Sequence, residues 1–253
     1  MAREMRKLKG LVLALAVGLF LVAGSLAPAA ETNTGMQGRT WVLKAQGPEF
    51  RLPKGELTAR FENGRIGGSG GINTFFGSYT LEDGKLAVGD IGSTKMAGDP
   101  GLMVQESLYL EALEKAVGFE ASAYRLVLKT ADGQVLLLFE PEGVSEAHRP
   151  IIHAPTSGEP VGPNVTVAGR TGSSRAGVIS IVTDVYADGR LLASVPGHRD
   201  RTTSAGKYWM RIATPRPKDN VTGKLLYVVR VVELDSNEQP RGPEAWVVLP
   251  ARD

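Results

Sequence analysis

Cysteine is absent from the 253 residues. Its absence excludes disulfides, thiolate zinc sites, iron–sulfur clusters and a cysteine nucleophile. Histidine is scarce: His148, His153 and His198 complete the set. They are not four residues apart and have no acidic pair beside them at metal-ligand spacing, so a metal site is not expected. Aromatic residues make up 6%, too few to suggest an aromatic-rich binding sheet. No G-x-S-x-G elbow and no S-x-x-K with its supporting elements occurs. The neighbouring acids Glu82 and Asp83, and Glu111 and Glu114, fall in a turn and on a polar helix face, where they read as solubility charge. The expectation is a non-enzymatic protein with no catalytic residue, cofactor or metal. Glycine (31) and proline (15) are generous, and 42% hydrophobic with 22% charged residues is globular composition. Such a chain forms one large or two small domains rich in turns.

The N-terminus reads as an address. Arg3, Arg6, Lys7 and Lys9 stand against Glu4, and Leu11 to Gly24 then runs fourteen residues without a charged or hydrogen-bonding side chain. Ala27-Pro28-Ala29 follows, with small residues where a signal peptidase reads. The apolar run is shorter than the roughly 20 residues of a spanning helix, so residues 1–29 are expected to be a secretory signal. Export to the periplasm, envelope or medium follows, with membrane attachment only through an uncleaved signal. The segment holds four of the 29 basic and one of the 27 acidic residues, which leaves 25 against 26, a net charge of −1. That remainder lacks the bulk basic footprint of a nucleic-acid binder.

Two modules follow a polar tail at 30–40. Between 41 and 141, alternating segments meet at Asn63-Gly64, Asp83-Gly84 and Asp132-Gly133, which are hairpin signals. One helix is expected between them, with Asp99 as N-cap and Pro100 at the first helical position. Met103, Leu110, Leu113 and Val117 recur on one helical face. The same periodicity turns Glu106, Glu111, Glu114 and Lys115 to solvent, and Gly118 is placed to end the helix. Residues 142–159, rich in Pro, Gly and Ser, read as a linker. From 160 to 253, about seven short strands with no helix predict a β-sandwich of immunoglobulin type. The fold class is therefore mainly β: an antiparallel domain with one packed helix, then a sandwich.

The first module carries a recognisable order of motifs. Trp41-Val42-Leu43 opens it. Gly70-Gly71-Ile72-Asn73 leads through Phe75 to Gly77-Ser78-Tyr79. Ser93-Thr94-Lys95-Met96-Ala97-Gly98 then precedes Glu106, Tyr109, Leu110 and Leu113. This pattern resembles the META domain, the HslJ-like family of envelope proteins. The resemblance implies a non-catalytic envelope protein, linked in some members to heat shock, drug tolerance or motility. It marks Trp41, Gly70, Gly71, Asn73, Phe75, Gly77, Tyr79, Thr94, Met96 and Glu106 as structural motif residues. Many members carry Cys where this chain has Ile72 and Gly98, so any cross-link there is replaced by packing. The second module resembles bacterial immunoglobulin-like envelope domains, on Pro160-Val161-x-Pro163-x-Val165-x-Val167-x-Gly169, Asp188-Gly189 and Gly206-x-Tyr208.

Three further features bear on function. The run Gly67-Gly68-Ser69-Gly70-Gly71 lacks the Lys-Ser/Thr and helix of a phosphate loop, so its glycines are expected to serve turns and close strand approach. Asn73 is expected to bond to its own turn. His198, Arg199 and Arg201, with Arg211, form the main basic concentration beyond the signal. They are a candidate contact to an anionic envelope partner, against the plainer reading of a solvated loop paired to Asp200 and Asp219. The partner classes are thus an envelope protein or an anionic envelope polymer, and not nucleic acid. The leading expectation is a stress-related envelope binding module. A chaperone-like or inhibitory protein binder is the alternative, and a hydrolase of envelope polymer ranks below it.

Overall fold

The computed structural model describes residues 35–215 and 223–252. The signal reading at 1–29, residues 30–34 of the tail, and Asp219 lie outside the described residues.

The first half is a nine-stranded antiparallel sheet. Its strands are β1 (Thr40–Gln46), β2 (Thr58–Glu62), β3 (Arg65–Ser69), β4 (Thr74–Glu82), β5 (Lys85–Val88), β6 (Gly92–Ser93), β7 (Gly118–Ala121), β8 (Leu126–Lys129) and β9 (Val135–Pro141). The order is β5-β4-β3-β2-β1-β9-β8-β7, with β6 beside β4. The Leu86 N–H donates to Val117 O at 2.8 Å, which brings β5 against the segment feeding β7 and nearly closes a barrel. Asn63-Gly64 and Asp83-Gly84 turn two of its hairpins with positive φ at both residues, the requirement of a type I′ turn.

The single α-helix, α1 (Pro100–Glu114), packs on this barrel. Asp99 caps it as expected, its carboxylate accepting from Gly101 N and Leu102 N. The helix ends at Lys115, and Gly118 begins β7 instead. Its buried face is Glu106, Tyr109, Ala112 and Leu113. Two sequence expectations are corrected here: Met103 is exposed and Glu106 is buried. The apolar spacing misassigned them because a carboxylate, not a hydrophobe, occupies the inward position. The barrel core gathers Trp41, Phe61, Phe75, Tyr79, Leu113 and Phe139 around Tyr109. Tyr109 meets Phe75 and Phe139 edge-on at 5.8 and 6.3 Å, a preferred aromatic geometry. Burial lifts its phenol pKa well above the ordinary value.

The stretch 142–159, read from sequence as a linker, contains a 3-10 turn at Glu146–His148 and the strand β10 (Ile151–Ala154). β11 (Asn164–Arg170), β12 (Val178–Ala187), β13 (Arg190–Arg201), β14 (Lys207–Ala213), β15 (Leu225–Leu234) and β16 (Ala245–Pro250) complete the chain. They form a three-stranded sheet, β10-β11-β14, and a four-stranded sheet, β13-β12-β15-β16. The two sheets enclose one core that includes Val165, Val167, Ile179, Ile181, Tyr208 and Val229. The first strand of this sandwich thus lies ahead of residue 160.

The halves share a third apolar cluster. Ala45, Phe50, Val127, Val135 and Leu138 of the barrel pack on Leu226 and Val228 of the sandwich. Phe50 meets Tyr186 edge-on at 4.9 Å. Polar groups extend this seam. Val135 N donates to Gly189 O at 2.9 Å, and Gln134 Nε2 to Asp188 O at 2.6 Å. Glu244 joins Arg125 of the barrel to Arg230, which also donates to Asp184. Arg149 donates to Glu140 of β9 and to Glu244 O. Burial opposes the charges of Arg149 and Arg230, yet the carboxylates beside them hold both pKa values above the ordinary guanidinium range. The described residues accordingly form one compact unit.

Candidate functional site

The motif residues converge on one structure beside α1. Glu106 projects from the helix, and its Oε2 accepts from Asn73 N at 3.1 Å and Ile72 N at 3.3 Å. A Cβ on Gly70 would lie 2.7 Å from Glu106 Cγ, so the carboxylate arm occupies the space a side chain there would need. The Asn73 amide does not close its own turn, which corrects the local reading. Its Oδ1 accepts from Thr94 Oγ1 at 2.8 Å and Met96 N at 2.7 Å. The 70–73 turn is thereby tied to the helix on one side and to the 94–96 segment on the other. Met96 takes part through its backbone, while its side chain is exposed. Gly71 N donates to Ser69 Oγ at 3.1 Å. Gly77 lies in β4 opposite Ile66.

Trp41 and Tyr79 anchor the barrel wall. Trp41 is buried, and its Nε1 donates to Met36 O at 2.7 Å. Tyr79 packs edge-on against Phe61 at 5.4 Å. Phe75 is buried and Phe76 exposed, as strand alternation requires. In the glycine run, a Cβ on Gly68 would meet Thr58 O at 2.0 Å, so close strand approach accounts for glycine there. A Cβ on Gly98 would meet Ile72 Cδ1 at 2.5 Å. At the two positions where the resemblance leads one to look for cysteines, isoleucine therefore fills the space over a glycine.

Pinning one face of α1 leaves the next stripe free. Gly101, Val104, Gln105, Leu108, Ala112 and Lys115 line a groove of about 580 Å³ opposite the loop after β1. That loop contributes Arg51, Leu52, Pro53 and Lys54. Gln105 holds it in place: Lys54 N donates to Gln105 Oε1 at 2.8 Å, and Gln105 Nε2 donates to Lys54 O at 2.9 Å. Three apolar side chains on the groove stay open to solvent, Leu52 at 73%, Val104 at 60% and Leu108 at 50% exposure. The rim charges largely pair among themselves, Glu49 with Arg51 and Glu111 with Lys115. Sequence reading missed this groove. Its signal was the apolar residues Val104 and Leu108, four apart and off the core face.

The basic residues are divided between the two sheets of the second half. His198–Arg201, read from sequence as a loop, forms the end of β13. His198 pairs in register with Ile181, and its side chain lies outside the described residues. Arg199 stands opposite Ser180 and pairs with Glu238. Arg201 stands opposite Val178, on the same sheet. Arg211 belongs to β14 of the other sheet. Among the described residues no group of three or more His, Cys, Asp or Glu is placed to hold a metal ion. Among them, too, no helix is long and apolar enough to cross a membrane.

Barrel, packed helix and doubly tied glycine turn define a small antiparallel β domain whose motif residues hold the fold together. A family model identifies that domain: residues 34–143 match the META domain. The match ends there, so immunoglobulin kinship of the sandwich remains a reading of its sequence. An NMR structure of a protein from Burkholderia xenovorans is similar over 43% of this chain and 84% of that one, with 27% sequence identity and a TM-score of 0.36. No curated protein matches the chain.

Proposed function

We propose that the chain is an exported, non-enzymatic envelope protein in which a META barrel and an immunoglobulin-like sandwich act as one binding body in a stress-related role. The observation that carries the binding role is the groove along α1. Exposed Leu52, Val104 and Leu108 border it, while the acids on its rim are engaged by neighbouring cations. Large exposed hydrophobics grouped at a concavity mark an interaction site. A floor of this character suits an apolar segment of another polypeptide, and this favours the protein-binder form of the reading. The basic residues followed by an apolar run at the N-terminus, and the META match, support the envelope and stress assignments.

The test uses the purified chain and a permanently unfolded probe, reduced and carboxymethylated lactalbumin, followed by fluorescence anisotropy. Binding is expected, and Val104→Glu with Leu108→Glu is expected to weaken it at least tenfold with an unchanged melting temperature. Undiminished binding by that variant overturns the groove assignment. Sequencing the N-terminus of protein recovered from the envelope tests export, with Ala30 expected as the first residue.

A further inference from the structure

The outer face of the three-stranded sheet has a composition unlike the rest of the surface. On β14 the outward positions are Lys207, Trp209, Arg211 and Ala213, all exposed. β11 sets Arg170 opposite Lys207, Ala168 opposite Trp209 and Thr166 opposite Arg211. β10 adds Ile151 opposite Arg170. None of these outward positions is acidic. Trp209 is 67% exposed. Along the strand, side chains on one face recur about every 7 Å, so a cation flanks the indole on either side. The residues opposite Trp209 and Arg211, Ala168 and Thr166, have small side chains.

Arg211 also borders a cleft of about 420 Å³ at the end of this face, with Arg252 and Asn164 among its other lining groups. One acid, Glu159, lines the cleft, and its Oε2 accepts from Thr156 N at 3.2 Å. Lys207, Arg211 and Arg252 form no ion pair among the described residues, and the Arg170 guanidinium donates to Ser174 Oγ at 3.2 Å. The face carries three cations, one exposed indole and no acid, and the cleft at its end adds Arg252 beside Glu159; the excess of positive charge complements an anionic ligand.

We propose that this face binds a carboxylated glycan, with a sugar ring stacked on Trp209 and its carboxylates engaged by Lys207, Arg170 and the Arg211–Arg252 cleft. The apolar face of a pyranose ring suits an indole, and guanidinium groups take carboxylates in a two-pronged fork. A rigid strand presenting one aromatic fits an extended polymer better than a bilayer, where several apolar groups must insert together. The inference is independent of the groove on the META half.

The experiment titrates the purified chain with polygalacturonate, with neutral dextran, and with phosphatidylglycerol vesicles, reading affinity by calorimetry. The expected result is polygalacturonate binding that weakens with salt and falls at least tenfold in Trp209→Ala and in Arg211→Glu. Trp209→Phe retains most of it, dextran does not bind, and vesicles do not bind in a Trp209-dependent way. Circular dichroism confirms that each variant is folded, which the exposure of both side chains favours. Absence of polygalacturonate binding overturns the proposal, as does binding that survives Trp209→Ala. Trp209-dependent binding to vesicles alone also overturns it and makes the face a membrane contact.

Discussion

Replacing Glu106 tests whether the META motif is a structural clasp. The carboxylate is buried and receives the Ile72 and Asn73 N–H groups at 3.3 and 3.1 Å. Glu106→Ala leaves both donors without that acceptor. An orphaned buried donor costs about 1–3 kcal/mol. Both contacts are long and the Ile72 side is part-exposed, so water replaces some of the loss, and about 2–3 kcal/mol in all is expected. For a unit of this size, where each kcal/mol moves the melting temperature by about 2–4 °C, that is a fall of roughly 5–10 °C. Glu106→Gln keeps an acceptor and is expected to lose about 1 kcal/mol. Gly70→Ala adds the sharper test. Its Cβ would lie 2.7 Å from Glu106 Cγ and 2.9 Å from Cδ, an overpacking that costs about 1–3 kcal/mol. In the Glu106→Ala background those atoms are gone, and most of the Gly70→Ala cost disappears with them. The assay is urea and thermal unfolding followed by circular dichroism for the four corners of the cycle. Purely additive effects, or a Glu106→Ala loss below about 0.5 kcal/mol, would refute the clasp.

Two further outcomes follow from the packing and the seam. The Cβ of Ile72 is bonded to Cγ1 and Cγ2, which lie 3.0 and 3.2 Å from a Cβ built on Gly98; the two Cβ positions are therefore within about 4.5 Å, the span of a disulfide. Ile72→Cys with Gly98→Cys is expected to cross-link on oxidation and to melt roughly 5–10 °C above its reduced form, with equal melting in both states ruling out that geometry. At the seam, Asp132 pairs with Arg190 and Glu49 with Lys224. The Asp132 pKa is lowered by the Thr130 hydroxyl and then Arg190, and the Glu49 pKa by Arg51 and then Lys224. A carboxylate with a depressed folded-state pKa contributes stability above its ordinary value of about 4 and loses it as pH falls through the lowered value. The urea midpoint is expected to drop in that acid range, and less steeply in Asp132→Asn with Glu49→Gln; identical pH profiles would refute the assignment.

The hairpins were legible because Asn-Gly and Asp-Gly leave few alternatives, and the helix start because Asp99-Pro100 satisfies cap and first turn together. The helix face was not. Its inward position is a carboxylate serving a distant turn, and hydrophobic spacing has no sign for that. Asn73 was misread for the same reason, since its partners lie 21 and 23 residues away. The seam left a fainter trace. Val135-Leu136-Leu137-Leu138-Phe139 and Leu225 to Val232 are near-continuous apolar runs, the pattern of strands covered on both faces. In β9, Leu137 and Phe139 enter the barrel core while Leu138 enters the seam. In β15, Tyr227 and Val229 enter the sandwich core while Leu226 and Val228 enter the seam. The Pro/Gly composition of 142–159 hid β10 because it marks turns and is silent about a short strand between them.

That seam decides which surfaces remain for binding. A sandwich has two outer faces, and here the barrel covers much of the four-stranded one through Leu226, Val228, Tyr186, Trp246 and Val248. The outer face of the three-stranded sheet stays open, and it carries Trp209. The three tryptophans divide accordingly. Trp41 is sealed in the barrel core, Trp246 packs at the seam, and Trp209 stands on the free face. Burying an indole removes a large apolar area from water, and the fold gains from that at the first two positions. At the third it does not, and cations occupy the positions on either side along the strand. Neither strand propensity nor core packing requires an exposed tryptophan between Lys207 and Arg211. A ligand with one apolar ring face and a negative charge gives all three side chains a common use.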